Sequence, residues 1–351
     1  MLSSDPDIEV IGTAMDPFDA REKIKQLHPD VLTLDVEMPR MDGVTFLKNL
    51  MRLHPLPVVM VSTLTEKGAD VTFEAMDLGA VDFVTKPKIN LAHTFEEYTV
   101  EICRKVKSAS QVTKSALERQ YKRYEANQKR QPLVAQLPKD TRKLDAGAVI
   151  PKSTFNNKHF KTTDKIIALG ASTGGTEAIK EVLMRLPANA PGMVITQHIP
   201  AAFSLPFAKR MNTVSEMTVC QAEEGQEILQ GHVYIAPGDK HLMVERNGAR
   251  YICRLHDGPP VNRHKPAVDV MFRSVTQNVG PNAIGVILTG MGADGAIGMK
   301  ELNDIGVPTI AQDEKTSIVW GMPGEAVKLG GADSVLSLDK IAEKILELAS
   351  R

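Results

Sequence analysis

Short apolar runs alternate with stretches of helical spacing along the first hundred residues of the chain. Runs rich in β-branched residues predict strands at Ile8–Thr13, Asp30–Asp35, Val58–Ser62 and Asp82–Thr85. Apolar residues spaced three and four apart predict helices over Pro17–Leu27, Val44–Leu53 and Lys67–Leu78. Because such strand–helix units place successive strands parallel, the pattern favours a doubly wound α/β sheet.

The alternation resumes near residue 164, after a long polar stretch. Parallel strands are predicted at Lys165–Leu169, Met193–Gln197 and Ala283–Thr289, and a further strand at Pro308–Ala311. Helices are predicted over Thr176–Met184, Gly292–Leu302 and Leu338–Leu348. Between them, His232–Ala236, Lys240–Glu245 and Tyr251–Leu255, with turns at Pro237-Gly238-Asp239 and Asn247-Gly248, predict an antiparallel excursion. The second half is therefore predicted to be another, mostly parallel α/β domain.

Residues 104–165 differ from both halves in composition. They hold 16 Lys or Arg residues against 5 Asp or Glu residues, with three scattered prolines. Ser115–Lys129 predicts a charged helix, but without a broad apolar face the stretch is expected to be a solvated tether. At roughly 100–200 residues per domain, 351 residues predict about two domains. We therefore predict domains at 1–109 and 164–351, joined by a basic, polar linker at 110–163.

Composition narrows the classes of function. The chain carries 42 Lys and Arg residues against 43 Asp and Glu residues, so it lacks the basic field expected of a nucleic-acid-binding protein. Cys103, Cys220 and Cys253 are too few and too scattered for a disulfide framework or a zinc site, which suits a reducing compartment. No run approaches the roughly 18–20 apolar residues that cross a bilayer, and the first residues do not resemble a signal peptide. The expected location is the cytoplasm, without membrane insertion.

A turn of small residues, Gly170–Gly175, follows an apolar run and precedes a predicted helix. Ser172 is therefore predicted at the carboxyl end of a parallel strand, beside free N–H groups of a helix N-terminus. Ligands bind at that edge of open α/β sheets. The turn is suited either to a nucleophilic serine or to binding of an anion.

Two further residues favour the nucleophile. His198 follows the strand Met193–Gln197, and Asp294 follows the strand that ends at Thr289. A serine needs a base that accepts its proton and a third group that orients the base. Each residue alone is more often a cap, a surface histidine or a turn former, yet three parallel strands bring them to one sheet edge. We therefore predict a Ser172–His198–Asp294 triad, with backbone N–H groups such as that of Met291 as oxyanion donors.

Three alternatives stay open on the residues alone. The turn matches neither G-x-G-x-x-G nor G-x-x-x-x-G-K-[ST], which weighs against a phosphate loop. A metal site at His256, Asp257 and His264 is a second alternative, although His256–Pro260 has the composition of a turn. The third is a non-catalytic adaptor whose Gly-rich edge binds a partner or an anion.

In the first half, Asp35, Ser62 and Lys86 stand at three successive strand ends. A carboxylate at such an edge can accept a phosphoryl group. It then needs a divalent metal to screen charge, a cation to pair with the product and a hydroxyl to sense it. We therefore predict Asp35 as the phosphoacceptor, with Lys86 and Ser62 as the cation and the hydroxyl of a switch.

The motifs of the second half resemble those of the bacterial chemotaxis protein-glutamate methylesterases, and the first half resembles a response-regulator receiver domain. The motifs are Ile167–Thr176, Gln197–Pro200, Ile235–Asp239, His256–Asp269 and Leu288–Gly295. The resemblance implies a truncated flavodoxin-like receiver, lacking its first strand and most of its first helix, tethered to a doubly wound, mostly parallel methylesterase domain with an antiparallel hairpin insertion. It also implies that Ser172 is the nucleophile, His198 the base, Asp294 its orienter and the Met291 amide an oxyanion donor. Within the fourth motif, Asn262, Arg263 and His264 are expected to line a substrate groove.

The family hydrolyses γ-glutamyl methyl esters on chemoreceptors, which releases methanol, and deamidates particular glutamines there; the esterase needs no cofactor. The resemblance implies that a sensor histidine kinase phosphorylates Asp35 with Mg²⁺ and thereby relieves obstruction of the esterase site by the receiver. It also implies a cis bond between Lys86 and Pro87.

The beginning of the chain departs from the receiver pattern. A receiver opens with a central strand that carries the acidic pair for magnesium, whereas this chain opens with Met1-Leu2-Ser3-Ser4. Asp5, Asp7 and Glu9 are not placed to replace that pair. We expect either a natural start upstream of Met1 or an impaired receiver. As written, the chain is expected to take up no phosphate from a small phosphodonor with magnesium.

Overall fold

The computed structural model describes residues 1–38, 41–63, 66–86, 92–129 and 165–350. These ranges form two α/β units, one before and one after residues 130–164. Within the described ranges, no helix is long and apolar enough to cross a membrane. Pro87, which bears on the predicted cis bond, lies outside the described residues.

In its described part, the first unit contains a parallel sheet of β1 (Leu32–Asp35), β2 (Val58–Ser62) and β3 (Asp82–Thr85), in that order. Helices α1 (Pro17–Leu27), α2 (Gly43–Leu53) and α3 (Glu66–Asp77) connect or flank these strands. The predicted helices and three of the four predicted strands are confirmed.

The predicted strand Ile8–Thr13 is wrong. Within the described residues β1 pairs only with β2, so no neighbouring strand supplies hydrogen bonds to this segment. Val10 and Ile11 are each 43% exposed. A β-branched run alone therefore does not make a strand, because a strand also requires a partner.

Helices α4 (Ala92–Ser110) and α5 (Lys114–Lys129) correct the prediction of a solvated tether from residue 104 onward. Ala109 and Leu117 are completely buried, and the Gln120 side chain donates a hydrogen bond to the Met76 carbonyl at 3.2 Å. Helix α5 has a narrow apolar stripe among many charged residues, so its sequence did not predict a face that packs on the first unit. Residues 104–129 thus pack on the first unit, and the remainder of the predicted linker, 130–164, lies outside the described residues.

The second unit has a larger sheet. Its strands are β4 (Ile166–Ala171), β5 (Gly192–Gln197), β6 (Thr218–Gln221), β7 (His232–Ile235), β8 (His241–Asn247), β9 (Arg250–His256), β10 (Ala283–Ile287), β11 (Thr309–Gln312) and β12 (Ser334–Leu336). Its helices are α6 (Gly175–Leu183), α7 (Ala201–Val214), α8 (Val268–Asn278), α9 (Ala296–Asp304), α10 (Met322–Lys328) and α11 (Leu338–Ala349). Among the described residues, seven strands form one parallel sheet in the order β12-β11-β10-β4-β5-β7-β6.

Strand β7 corrects the extent of the antiparallel excursion. It pairs in parallel with both β5 and β6, so it belongs to the main sheet. The antiparallel part is the β8–β9 hairpin, where Asn247 faces Arg250 across the predicted turn. A four-residue apolar run contains no information about its neighbours, which is why the pairing could not be read from the sequence.

Aromatic rings join the two units. Phe73 of α3 and Phe83 of β3 pack against Phe203 and Phe207 of α7, with ring centroids 4.6–6.0 Å apart across the boundary. All four side chains are almost completely buried. Burial of several aromatic side chains favours a tightly held interface. The first unit is therefore docked on the second.

Candidate active site

Ser172 follows β4 directly and lies where two backbone segments converge. Its N–H donates to the Thr289 carbonyl at 3.0 Å, which ties the end of β4 to the segment after β10. A Cβ atom on Gly290 would lie 2.8 Å from the Ser172 Cβ, so only glycine permits this approach. Gly174, with φ of 76°, then turns the chain into α6. The strand–turn–helix predicted around Ser172 is thus present.

The three residues predicted as a triad meet at the carboxyl edge of the large sheet. His198 Nδ1 lies 3.0 Å from Ser172 Oγ, and His198 Nε2 lies 2.8 Å from Asp294 Oδ2. Ser172, Asp294 and the side chain of His198 are each at most 6% exposed. With its Nε2–H donated to Asp294, the ring presents Nδ1 as an acceptor for the serine proton.

Hydrogen bonds hold Asp294 in its charged form. The N–H groups of Val268 and Asp269, at the start of α8, donate to it at 2.7 and 3.2 Å, and Asn262 Nδ2 donates at 2.8 Å. Burial by itself would raise the pKa of Asp294. The hydrogen bonds from His198, Asn262 and Val268 outweigh it and lower that pKa to about 2. Asp294 is therefore a carboxylate at neutral pH.

Two of the residues expected in a substrate groove contact the triad. Asn262 bonds to Asp294 as described, and the His264 ring stacks on the His198 ring with centroids 3.7 Å apart at 9°. Arg104 of α4 also contacts the His264 ring, because its Nη1 lies 3.4 Å from His264 Nε2. Burial, together with the neighbouring His198 and the positive charge of Arg104, lowers the pKa of His264 to about 3, so the His264 ring is neutral.

The metal alternative has no support. In the described ranges, no group of three His, Cys, Asp or Glu side chains is placed to hold a metal ion. His264 is instead engaged with His198 and Arg104.

The loop after β10 presents the predicted oxyanion donor. The Gly290 N–H donates to the Val319 carbonyl at 3.0 Å, and its own carbonyl accepts from Gly321 and Met322 at 3.1 and 2.8 Å. These bonds fix the backbone beside Met291. Within the described part of the chain, the Met291 N–H has no hydrogen-bond partner, so it is available to a negatively charged oxygen.

The first unit covers this site. Thr173, next to the predicted nucleophile, donates to Asp82 Oδ2 at 3.0 Å and accepts from Ser108 at 3.4 Å. Asp82 also pairs with the buried Lys105 at 3.1 Å. Met291 packs against the apolar cluster of α4. The resemblance implied that the receiver obstructs this site, but the residues that make these contacts were not predicted, since periodicity within one element does not report which other element touches it.

The predicted phosphoacceptor site is partly assembled. Lys86 Nζ lies 2.6 Å from Asp35 Oδ2, and the Lys86 N–H donates to the Ser62 carbonyl at 2.7 Å. The Ser62 hydroxyl accepts from Thr72 at 2.8 Å and donates to the Gly68 carbonyl at 3.3 Å. The structure thus brings Asp35 and Lys86 together and turns the Ser62 hydroxyl toward α3.

The described residues near Asp35 do not compose a magnesium site. Mg²⁺ requires near-octahedral oxygen ligands, whereas Asp35 Oδ2 is paired with Lys86, and no cluster of three ligating side chains exists among the described residues.

Two family models match this chain, one in each of the two units. The family model described as CheB methylesterase matches residues 167–345 of the 351. The chain belongs to the CheB methylesterase family. The model described as response regulator receiver domain matches residues 1–96. The family thus accounts for the half with Ser172, and the receiver model for the half with Asp35.

Named members of the family are similar over almost their whole length. A Hydrogenovibrio crunogenus protein named protein-glutamate methylesterase/protein-glutamine glutaminase is 72% identical over 356 residues, which cover 100% of this chain and 94% of that protein. A Xanthomonas campestris protein with the same name, numbered 1, is 55% identical and covers 100% and 93%. The crystal structure of the Thermotoga maritima CheB methylesterase catalytic domain matches 53% of this chain and 98% of its own, with a TM-score of 0.52 and 39% identity.

Proposed function

We propose that this chain is a protein-glutamate methylesterase and protein-glutamine glutaminase that acts on chemoreceptor proteins. The names of the full-length relatives support the two activities. The observation that carries the mechanism is the continuous chain of hydrogen bonds from Ser172 Oγ through His198 to Asp294 Oδ2. We assign Ser172 as nucleophile, His198 as general base and Asp294 as the group that orients it.

In the first half-reaction, Ser172 Oγ attacks the γ-carbonyl carbon of the modified glutamate side chain while His198 Nδ1 accepts the hydroxyl proton. A carbon–oxygen bond forms, and the carbonyl π electrons move to the oxygen, where the Met291 N–H stabilises the charge. When the tetrahedral intermediate collapses, His198 returns the proton to the leaving group. An ester releases methanol and a primary amide releases ammonia.

The second half-reaction frees the enzyme. Water attacks the acyl-serine carbonyl as His198 accepts one of its protons, and the second tetrahedral intermediate expels Ser172, which takes that proton back. The product is a glutamate carboxylate. Asp294 remains ionised throughout and stabilises the imidazolium, in line with its lowered pKa.

The first unit is proposed to act as a phosphorylation-controlled brake on this chemistry. Its Asp82 and Ser108 contact Thr173 beside the nucleophile, and its Arg104 contacts His264 on the catalytic ring. A sensor histidine kinase is the proposed phosphodonor and Asp35 the proposed acceptor, with the Lys86 ammonium at 2.6 Å; the transfer would also require a magnesium ion, for which the described residues do not supply the ligands. Release of these contacts would open the site to a receptor helix.

Replacing Ser172 with Ala in the full chain tests the esterase assignment. Methanol release from methylated chemoreceptors is expected to fall by at least about 10³-fold, because the substitution removes the oxygen that forms the acyl intermediate. Ser350→Ala changes an exposed serine at the end of α11 and serves as the matched control, with unchanged activity expected. Full activity in the Ser172 variant would refute the assignment of Ser172 as nucleophile, whereas no methanol release by the unmodified chain would favour the non-catalytic adaptor.

A further inference from the structure

Two buried carboxylates, those of Asp294 and Asp269, each accept hydrogen bonds from the start of the helix that follows or contains the other. Asp294 precedes α9 in the chain, yet it accepts hydrogen bonds from Val268 and Asp269 at the start of α8. Asp269 lies in the first turn of α8, yet it accepts from the Gly298 N–H in the first turn of α9 at 2.7 Å. Each helix N-terminus thus binds the carboxylate carried by the other segment, as the helix dipole favours.

Asn262 lies between these two carboxylates. Its Nδ2 is 2.7 Å from Asp269 Oδ2 and 2.8 Å from Asp294 Oδ1. The two N–H bonds of one amide can serve both acceptors, which a single hydroxyl or carboxyl proton cannot do. The backbone of Asn262 is left-handed, with φ of 53°, a conformation that asparagine tolerates better than most residues. Although the residue as a whole is exposed, its amide faces inward.

We propose that Asn262 is a positioning residue for the catalytic carboxylate. By holding Asp294 Oδ1, it directs Asp294 Oδ2 toward His198 Nε2, and it separates the charge of Asp269 from that of Asp294. This inference rests on the proposed function, because it presupposes that Asp294 orients the base.

The need for a shared donor follows from the proximity of like charges. Two carboxylates at one buried site cannot both remain ionised unless donors or cations stabilise them. Burial already raises the pKa of Asp269, and the charge of Asp294 raises it further. Without the Asn262 amide, the pair would take up a proton at a higher pH. A carboxylate that shares a proton orients and stabilises an imidazolium less well.

Asn262→Gly tests the role without straining the backbone, since glycine accepts φ of 53°. A hydrogen bond to a charged group contributes enough that kcat for methyl-ester hydrolysis is expected to fall by about ten- to a hundredfold. KM is expected to stay within about twofold, because the lost interaction orients the base and does not bind substrate. Asn262→Asp preserves the shape and the turn but adds a third negative charge, so we expect it to be less active than the glycine variant.

The pH profile and a second substitution identify the physical cause. For Asn262→Gly, activity is expected to be lost at a higher pH on acidification than for the unmodified chain. Adding Asp269→Asn removes the like charge, so kcat of the double variant is expected to recover part of the loss and its acid limit to move back. Asp269→Asn alone is the remaining variant of this double-mutant cycle.

The possible outcomes distinguish a positioning role for Asn262 from a substrate contact, from misfolding and from failure of the proposed function. It is supported if the glycine variant loses kcat at constant KM and Asp269→Asn restores part of it. It is overturned if kcat is unchanged, if KM alone rises as for a substrate contact, if the aspartate variant is the more active, or if the two substitutions simply multiply. Thermal unfolding of each variant identifies any loss caused by misfolding. Activity that survives Ser172→Ala would refute the proposed function itself, whatever the Asn262 variants do.

Discussion

Replacing Asp77 with Asn is expected to loosen the docking of the first unit and to raise the activity of the unphosphorylated chain. Asp77, at the end of α3, accepts a hydrogen bond from Lys180 Nζ at 2.5 Å and a further one from Arg210. Both cations belong to the second unit. All three side chains are between 13% and 25% exposed, so water screens the contact only partly.

The size of the effect follows from these contacts. A hydrogen bond to a charged group contributes about 1.5–3 kcal/mol, and asparagine keeps one acceptor oxygen but no charge. We expect a net loss of about 2 kcal/mol, which lowers the ratio of docked to undocked molecules by about 30-fold, at 1.4 kcal/mol per tenfold. Basal activity rises by up to that factor, until most molecules are undocked.

Methanol release by the unphosphorylated chain and amide hydrogen exchange in α3 and α7 measure the two consequences. Lys340→Ala breaks an exposed pair with Glu343 on α11 and is the matched control, with no change expected in either quantity. Faster exchange without a rise in activity would show that docking is not the brake. Unchanged exchange would show that Lys180 and Arg210 do not hold the interface through Asp77.

Three further substitutions follow from single features of the structure. Burial and the charge of Asp77 raise the pKa of Glu177 well above its ordinary value, so the docked state retains a proton and docking weakens as pH rises. Glu177→Gln is expected to flatten that dependence and to lower basal methanol release at the pH values where docking of the unmodified chain weakens. Asp294→Asn is expected to lower kcat by about 10³–10⁴-fold in a steady-state assay, because the base loses the group that sets its tautomer. Leu117→Ala removes a completely buried side chain of α5 and is expected to cost about 2–5 kcal/mol in urea unfolding, whereas a truly solvated linker would show no change.

The elements that the sequence predicted best are those with strong local signals. Helix α1 has the predicted limits Pro17–Leu27 because Asp16 caps its first turn, with hydrogen bonds from the N–H groups of Phe18 and Asp19, and Pro17 occupies its first position. Strands β2 and β3 also have their predicted limits, since both are short β-branched runs between turns. Local chemistry is sufficient where an element begins and ends for local reasons.

The wrong predictions all concern contacts between elements. Ile8–Thr13 has the composition of a strand but no neighbouring strand. His232–Ile235 joins the parallel sheet, although its sequence is equally compatible with a hairpin. Helix α5 packs on the first unit through the narrow stripe that includes Leu117, and its many charges concealed that stripe. Pairing and packing partners are properties of the tertiary fold.

In the candidate site, too, the sequence predicted local positions but not the contacts between elements. The sequence alone determined that Ser172, His198 and Asp294 lie at the carboxyl ends of parallel strands, because parallel strands share one carboxyl edge. Only the tertiary structure decided what surrounds them: the stacked ring of His264, the amide of Asn262 and the contacts from the first unit. Those groups come from loops and from a separate unit. Their positions depend on how whole elements pack, which no local pattern encodes.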